Sequence, residues 1–296
     1  MDKTVQLRNG RQATYDVIGE GEPALLFEGG PGFAAGSILG EAELLSDRFA
    51  CHVIDPHGSG GSSPPSDEND YDHEGHARFY DEVREFLRLD RVTVVGHSFG
   101  AVVALTYAAM FPERTERCIA ISALAMGEEI DQAEGGEGAD EMEAMISRHS
   151  GQPWYEDARK VWYEWTDRVL ATDDPGEVED MMRTVLPLYT AHPDRPDVAE
   201  KIEKLHSVLK VDLQATKVWE NGLYQGIDIR PLLPKIQVPT LVVAGELDLI
   251  CGPAHARVVA DEVKGSQLAL IGDCGHLVSL EAPDAFKDAV VRWLDA

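Results

Sequence analysis

Val94-Val95-Gly96-His97-Ser98-Phe99-Gly100-Ala101 is the stretch from which the rest of the chain can be read. A β-branched run, Val92-Thr93-Val94-Val95, leads into it, and an apolar run, AVVALTYAAMFPER at 101–114, leads out of it. Gly-x-Ser-x-Gly between a strand and a helix predicts a sharp, strained turn. Its two glycines let strand and helix approach closely, and its serine is lifted above the sheet with the hydroxyl exposed. Ser98 is therefore the candidate nucleophile.

A serine hydroxyl is a weak nucleophile at neutral pH, so the reading requires a histidine to take its proton and a carboxylate to orient that histidine. Both follow in the order serine, acid, histidine. Asp248 ends the apolar run PTLVVAGELD at 239–248, and His276 lies in DCGHLVSLEAPDAF at 273–286, just after the run SQLALIG at 266–272. Each stands at the carboxyl end of an expected strand, the edge where Ser98 also stands, so the three can converge. The oxyanion formed on attack needs backbone donors. Phe99, at the start of a helix, offers one amide; the turn Gly29-Gly30-Pro31-Gly32 offers a second, assigned to Gly30.

Working outward, apolar runs alternate with glycine-bearing turns and amphipathic stretches, the pattern of a mostly parallel sheet flanked by helices. Eight strands are expected: TVQLR, ATYDVIG, PALLFE, FACHVID, VTVVGHS, RCIAISALA, PTLVVAG and SQLALIG. HEGHARFYDEVREFLRLD at 73–90 has helical spacing, with Phe79, Val83, Phe86 and Leu87 on one face. The rhythm stops after RCIAISALA and resumes at PTLVVAGELD. Residues 127–228 are thus expected to be an inserted helical cap on a core of 1–126 and 229–296. Its segments WYEDARKVWYEWTDRVL and VEDMMRTVLPLY suit helices, with tryptophans in the cap core and some of them lining a pocket. The run GEEIDQAEGGEGADEMEA at 127–144 holds no lysine or arginine and is expected to be mobile and solvated.

A net charge of -27 argues against nucleic acid and anionic membranes as partners, and fits either simple solubility or attraction of a cationic substrate. No run of about 18 apolar residues could span a bilayer, and the opening MDKTVQLRNGRQATYD lacks the apolar run of a signal peptide, so a cytoplasmic protein is expected. Cys51, Cys118, Cys251 and Cys274 form no C-x-x-C pair, which suggests neither a disulfide framework nor a zinc site. No metal or organic cofactor is expected. Monomer and small homo-oligomer stay open.

Gly-Gly-Pro-Gly at 29–32, DPHGSGGS at 55–62, GHSFG, GELD and DCGH together resemble the proline iminopeptidase (prolyl aminopeptidase) branch of the α/β hydrolases. The resemblance frames the whole chain, though only loosely in the cap. It implies the α/β-hydrolase fold and release of an N-terminal residue through an acyl-enzyme, from a small peptide or an aminoacylated metabolite such as a natural-product intermediate. It also implies that cap carboxylates bind the substrate's amino group, and Glu220 in KVWENGLYQG matches one of them. Three departures stand out. Glu28 replaces the histidine usual before Gly-Gly-Pro-Gly and leaves two readings open, a second amine-binding carboxylate or a solvated or arginine-paired side chain. His57 replaces an arginine, and Leu249 stands where some relatives have a carboxylate after the catalytic acid. A carboxylesterase, lactonase or thioesterase acting on an amine-free molecule is the alternative, and a non-catalytic ligand receptor on the same fold a more distant one.

Overall fold

The structure, a computed structural model, describes residues 1–125, 143–144, 146–223 and 226–296. Each of the eight stretches expected to be a strand is one: β1 (Lys3–Gln6), β2 (Gln12–Ile18), β3 (Glu22–Phe27), β4 (Phe49–Ile54), β5 (Val92–His97), β6 (Thr115–Ile121), β7 (Thr240–Gly245) and β8 (Gln267–Ile271). They form one sheet in the order β1-β2-β4-β3-β5-β6-β7-β8. β1 pairs antiparallel with β2 and β2 with β4, while every pairing from β4 onward is parallel.

Parallel strands are joined by crossovers that cover both faces, so the central strands are apolar on both sides. In β5 the alternation of side chains sends Val92 and Val94 to one face and Val95 to the other. The first face packs on α2 (His73–Phe86) and α3 (Phe99–Met110) through Phe79, Tyr80, Val83, Val102 and Leu105. The second packs on α1 (Leu39–Leu45) through Ala42 and Leu45, and on α10 (Pro283–Leu294) through Phe286, Val290 and Trp293. Asp72 starts α2 by accepting the Gly75 amide at 2.6 Å, which satisfies one of the helix's free N–H groups. Phe86, expected on the buried face of α2, is exposed instead, at the helix's last turn.

Between β6 and β7 lie α4 (Tyr155–Ala171), α5 (Pro175–Val185), α6 (Pro196–Val208) and α7 (Leu213–Val218). α5 opens with Asp174 capping and Pro175 in the first turn, where the missing N–H of proline costs nothing. Val161, Val178, Met181, Val185, Val198 and Ile202 of these helices bury one another in a cluster that also takes in Phe33 and Leu277. Those two residues come from the loops after β3 and β8. The Asp212 amide donates to Gly32 O at 2.7 Å and the Ala34 amide to Lys210 O at 2.9 Å, so the helical layer is tied to the glycine-rich turn after β3. The acidic run at 127–144, and with it the expected start of the insertion, falls almost wholly outside the described residues. After α7 and α8 (Gly252–Glu262), α9 (Val278–Glu281) precedes α10. Among the described residues, no helix is long and apolar enough to cross a membrane.

Candidate active site

At the end of β5 the chain turns within one residue. Ser98 has φ 56° and ψ -120°, a conformation that costs a non-glycine residue energy and persists only where its surroundings enforce it. Enforcement comes from close packing. A Cβ on Gly96 would lie 2.0 Å from Gly100 O, and one on Gly100 would lie 2.2 Å from Phe27 O. Only bare backbone fits at either crossing. The Ser98 amide donates to Ile121 O at 2.9 Å, which anchors the turn to β6.

His276 is held on all sides. Its amide donates to Tyr189 O at 2.8 Å, and its carbonyl accepts from the Ser122 hydroxyl at 3.0 Å and from His97 Nε2 at 3.0 Å. Burial, with the neighbouring His276, pushes His97 down to about 3, so it serves as a neutral donor. The side chain of His276 turns Nδ1 to Asp248, 2.9 and 3.0 Å from the two carboxylate oxygens. Asp248 is fully buried: burial acts to raise its pKa, but the His276 charge and hydrogen bond and the amides of Ile250 and Cys251 outweigh it and hold the carboxyl below its ordinary value. Glu281, buried beside this loop, accepts the Gly275 amide at 3.0 Å and the Ala191 amide at 2.7 Å, linking the histidine loop to the helical layer.

Ser98 and His276 open on one cavity of about 420 Å³, together with Gly30 and Phe99. Phe99 is the first residue of α3, so its amide has no intrahelical carbonyl to meet and points to the cavity end of the helix. The roof comes from the helical layer: Trp162, Trp165, Met182, Tyr189, Leu205 and Trp219. The Trp219 ring lies edge-on to Phe99 at 4.9 Å, and the Tyr189 ring edge-on to His276 at 5.5 Å.

Glu220 also lines this cavity. It sits on a π-helical turn, Trp219–Leu223, that continues α7. Trp165 Nε1 donates to one of its oxygens at 2.8 Å and the Thr166 hydroxyl to the other at 2.6 Å. Glu28 behaves differently and corrects the sequence expectation. It is fully buried and absent from the cavity lining, with the Tyr80 hydroxyl donating to Oε2 and no partner for Oε1 among the described residues. Burial, against the Tyr80 hydrogen bond and with some help from Asp55, pushes its pKa up to about 8. A protonated carboxyl walled off beneath the turn cannot bind a substrate ammonium. His57 is buried among Tyr71, His76 and Phe79 and pushed down to about 3 chiefly by burial, so it does not replace a guanidinium. Leu249 packs with Ile146, Tyr155 and Leu188.

Two features escape a sequence reading. Cys251 lines the cavity together with Ser98, and burial and the Asp248 charge raise its thiol well above the ordinary value, which disfavours the thiolate. The clamp on Glu220 is the other; a Trp-Thr pair in a helix carries no signal until its partner is known. Among the described residues no group of histidine, cysteine or carboxylate side chains could hold a metal ion.

A family model described as alpha/beta hydrolase fold matches residues 23–283. The chain is 26% identical over 304 residues to a proline iminopeptidase of Lactobacillus acidophilus, covering 97% of this chain and 96% of that protein. It is similar to the solved structure of an alpha/beta fold family hydrolase from Bacillus anthracis, with TM-score 0.75 and 17% identity over 98% of both chains. It is also similar to the enol-lactonase from Burkholderia xenovorans, with TM-score 0.73 and 21% identity over 99% of this chain and 100% of that one. At such identities the solved structures speak for the fold alone.

Proposed function

The chain belongs to the alpha/beta hydrolase fold family, and we propose that it is a serine hydrolase of aminopeptidase type, releasing an N-terminal residue from a small peptide or aminoacylated metabolite. In this reading Ser98 Oγ attacks the carbonyl carbon while His276 Nε2 takes the hydroxyl proton, with Asp248 holding the ring through Nδ1–H. The oxyanion is stabilised by the amides of Phe99 and Gly30. Collapse breaks the bond to the leaving nitrogen, which receives the proton from His276. Water then gives a proton to the same histidine as its oxygen attacks the acyl carbon, and collapse breaks the bond to Ser98 Oγ, which takes the proton back from His276 and releases the acid. The described helices between β6 and β7, α4 to α7, act as the cap over the acyl group.

The observation that carries the aminopeptidase part is Glu220. It is the one carboxylate on the cavity wall among the described residues, and it shares that wall with Trp162, Trp165 and Trp219. A carboxylate in an aromatic-lined cavity suits an ammonium, which gains a charge partner there. The Trp165 and Thr166 hydrogen bonds preorganise it. Leaving a buried partner charge unpaired costs about 2 to 5 kcal/mol, so Glu220→Gln should lower kcat/KM on a free aminoacyl amide by roughly 30-fold or more. An amine-free ester should keep nearly its full rate. Wild-type enzyme should lose activity when the substrate amine is acetylated; equal rates on the free and N-acetylated amides would instead favour the esterase or lactonase reading.

A further inference from the structure

We infer that this hydrolase selects against a negatively charged leaving group, so that its substrates are aminoacyl amides or esters of uncharged, apolar molecules and free dipeptides are poor ones. The inference rests on the serine-hydrolase reading of Ser98 and His276, and extends it to the other side of the scissile bond.

His276 must deliver its proton to the departing atom, so the leaving group lies against the histidine side of the cavity. That wall is aliphatic. Leu277 follows His276 directly, and it belongs to the same buried cluster as Met182, Val185, Leu186 and Leu209, all of which line the cavity. Tyr189 covers the imidazole edge. No lysine or arginine lines the cavity among the described residues, and residues 126–142, 145, 224 and 225 contain none in the sequence, so they cannot supply one. Two cations of the helical layer are engaged by carboxylates outside the cavity lining. Lys217, one turn before Glu220, pairs with Asp173 at 3.1 Å, and Lys210 pairs with Glu179 at 3.0 Å.

In a dipeptide the terminal carboxylate stands within one residue of the scissile bond, about 3.8 Å from one Cα to the next, and therefore inside the cavity. There it would meet no cation and would share the space with Glu220. A terminal amide, an arylamine or an alcohol leaves no such charge, and its apolar part gains the aliphatic wall. This is specificity by an unmatched charge, independent of which residue occupies the acyl side.

The test compares kcat/KM of wild-type enzyme at pH 7 on alanyl-leucine and alanyl-leucinamide, and in parallel on the butyrate esters of 4-hydroxybenzoate and of its methyl ester. Because like-charge juxtaposition is unfavourable, the neutral member of each pair should be favoured by about 30-fold or more. Leu205→Lys, on the cavity-facing side of α6 where a long stem can follow the existing leucine, should narrow both ratios by raising turnover of the charged member. Near-equal rates within the ester pair, or within the peptide pair, would overturn the inference. If neither peptide is cleaved while the ester pair still discriminates, the amine reading of Glu220 fails and the charge exclusion stands.

Discussion

Ser98 and Glu220 face the same cavity, but they are held there by different kinds of structure. Ser98 is fixed by backbone: a strand end, a helix start and two glycines at which a single methyl group would collide with a carbonyl oxygen. Glu220 is fixed by side chains, a tryptophan and a threonine reaching from α4 to a π-helical turn more than 50 residues further along the chain. Backbone placement is shared by any substrate that reaches the serine. Side-chain placement can be altered without disturbing the sheet, and so it is where substrate preference can change while the chemistry stays.

The largest effect should follow from breaking the backbone-held half. Ser98→Ala and His276→Ala should each lower kcat on every substrate by about four orders of magnitude or more, and the double variant little further, because the members of such a unit are not additive. Steady-state assays on one amide and one ester check this; loss on the amide alone would mean that the two halves are not separable as described.

A second effect concerns the buried floor beneath the serine turn. Glu28 has an ordinary value of 4.5 and is raised to about 8 in the folded protein. Below about pH 4.5 it is protonated in both states and contributes no pH dependence. Between 4.5 and 8 the unfolded chain ionises while the folded one does not, so stability falls as pH rises, and above 8 the fall stops. Glu28→Gln retains an acceptor for the Tyr80 hydroxyl and removes the titration. As pH goes from 5 to 8 the variant should therefore gain on wild type, by at most about 1.4 kcal/mol for each pH step of one and a few kcal/mol in all. Urea unfolding at the two pH values measures it; an unchanged difference would mean that Glu28 ionises freely in the fold.

The smallest effect belongs to the side-chain-held half. Trp165→Phe keeps an aromatic ring over the cavity but removes the N–H that orients Glu220, a hydrogen bond to a charged group worth about 1.5 to 3 kcal/mol at most. Turnover of the aminoacyl amide should fall by roughly 10-fold, with the amine-free ester unaffected. An equal fall on both would place Trp165 in the general architecture of the helical layer.

The same division explains what could be read from the sequence. The central strands β3 to β7 were legible because buried parallel strands are short apolar runs, and the serine turn because sterics leave few residues that fit it. WYEDARKVWYEWTDRVL and VEDMMRTVLPLY were legible as helices from their apolar periodicity, and α4 and α5 occupy them. The fate of Glu28 was not. A glutamate next to a glycine turn reads as a cavity residue until Tyr80, 52 positions away, is seen to hold it from α2. Trp162, Trp165 and Trp219 line the cavity whereas Trp154, packed against the cluster that holds Leu249, does not, a distinction set by tertiary contacts and invisible to spacing.

The measurement that reaches the central claim most directly is covalent. Wild-type protein treated with a fluorophosphonate probe should lose its hydrolytic activity in step with incorporation of one phosphonyl group, and peptide mass spectrometry should locate that group on Ser98, with no incorporation in Ser98→Ala. Full activity with Ser98 unmodified, or inactivation with the group on Cys251 or any residue other than Ser98, would contradict the account.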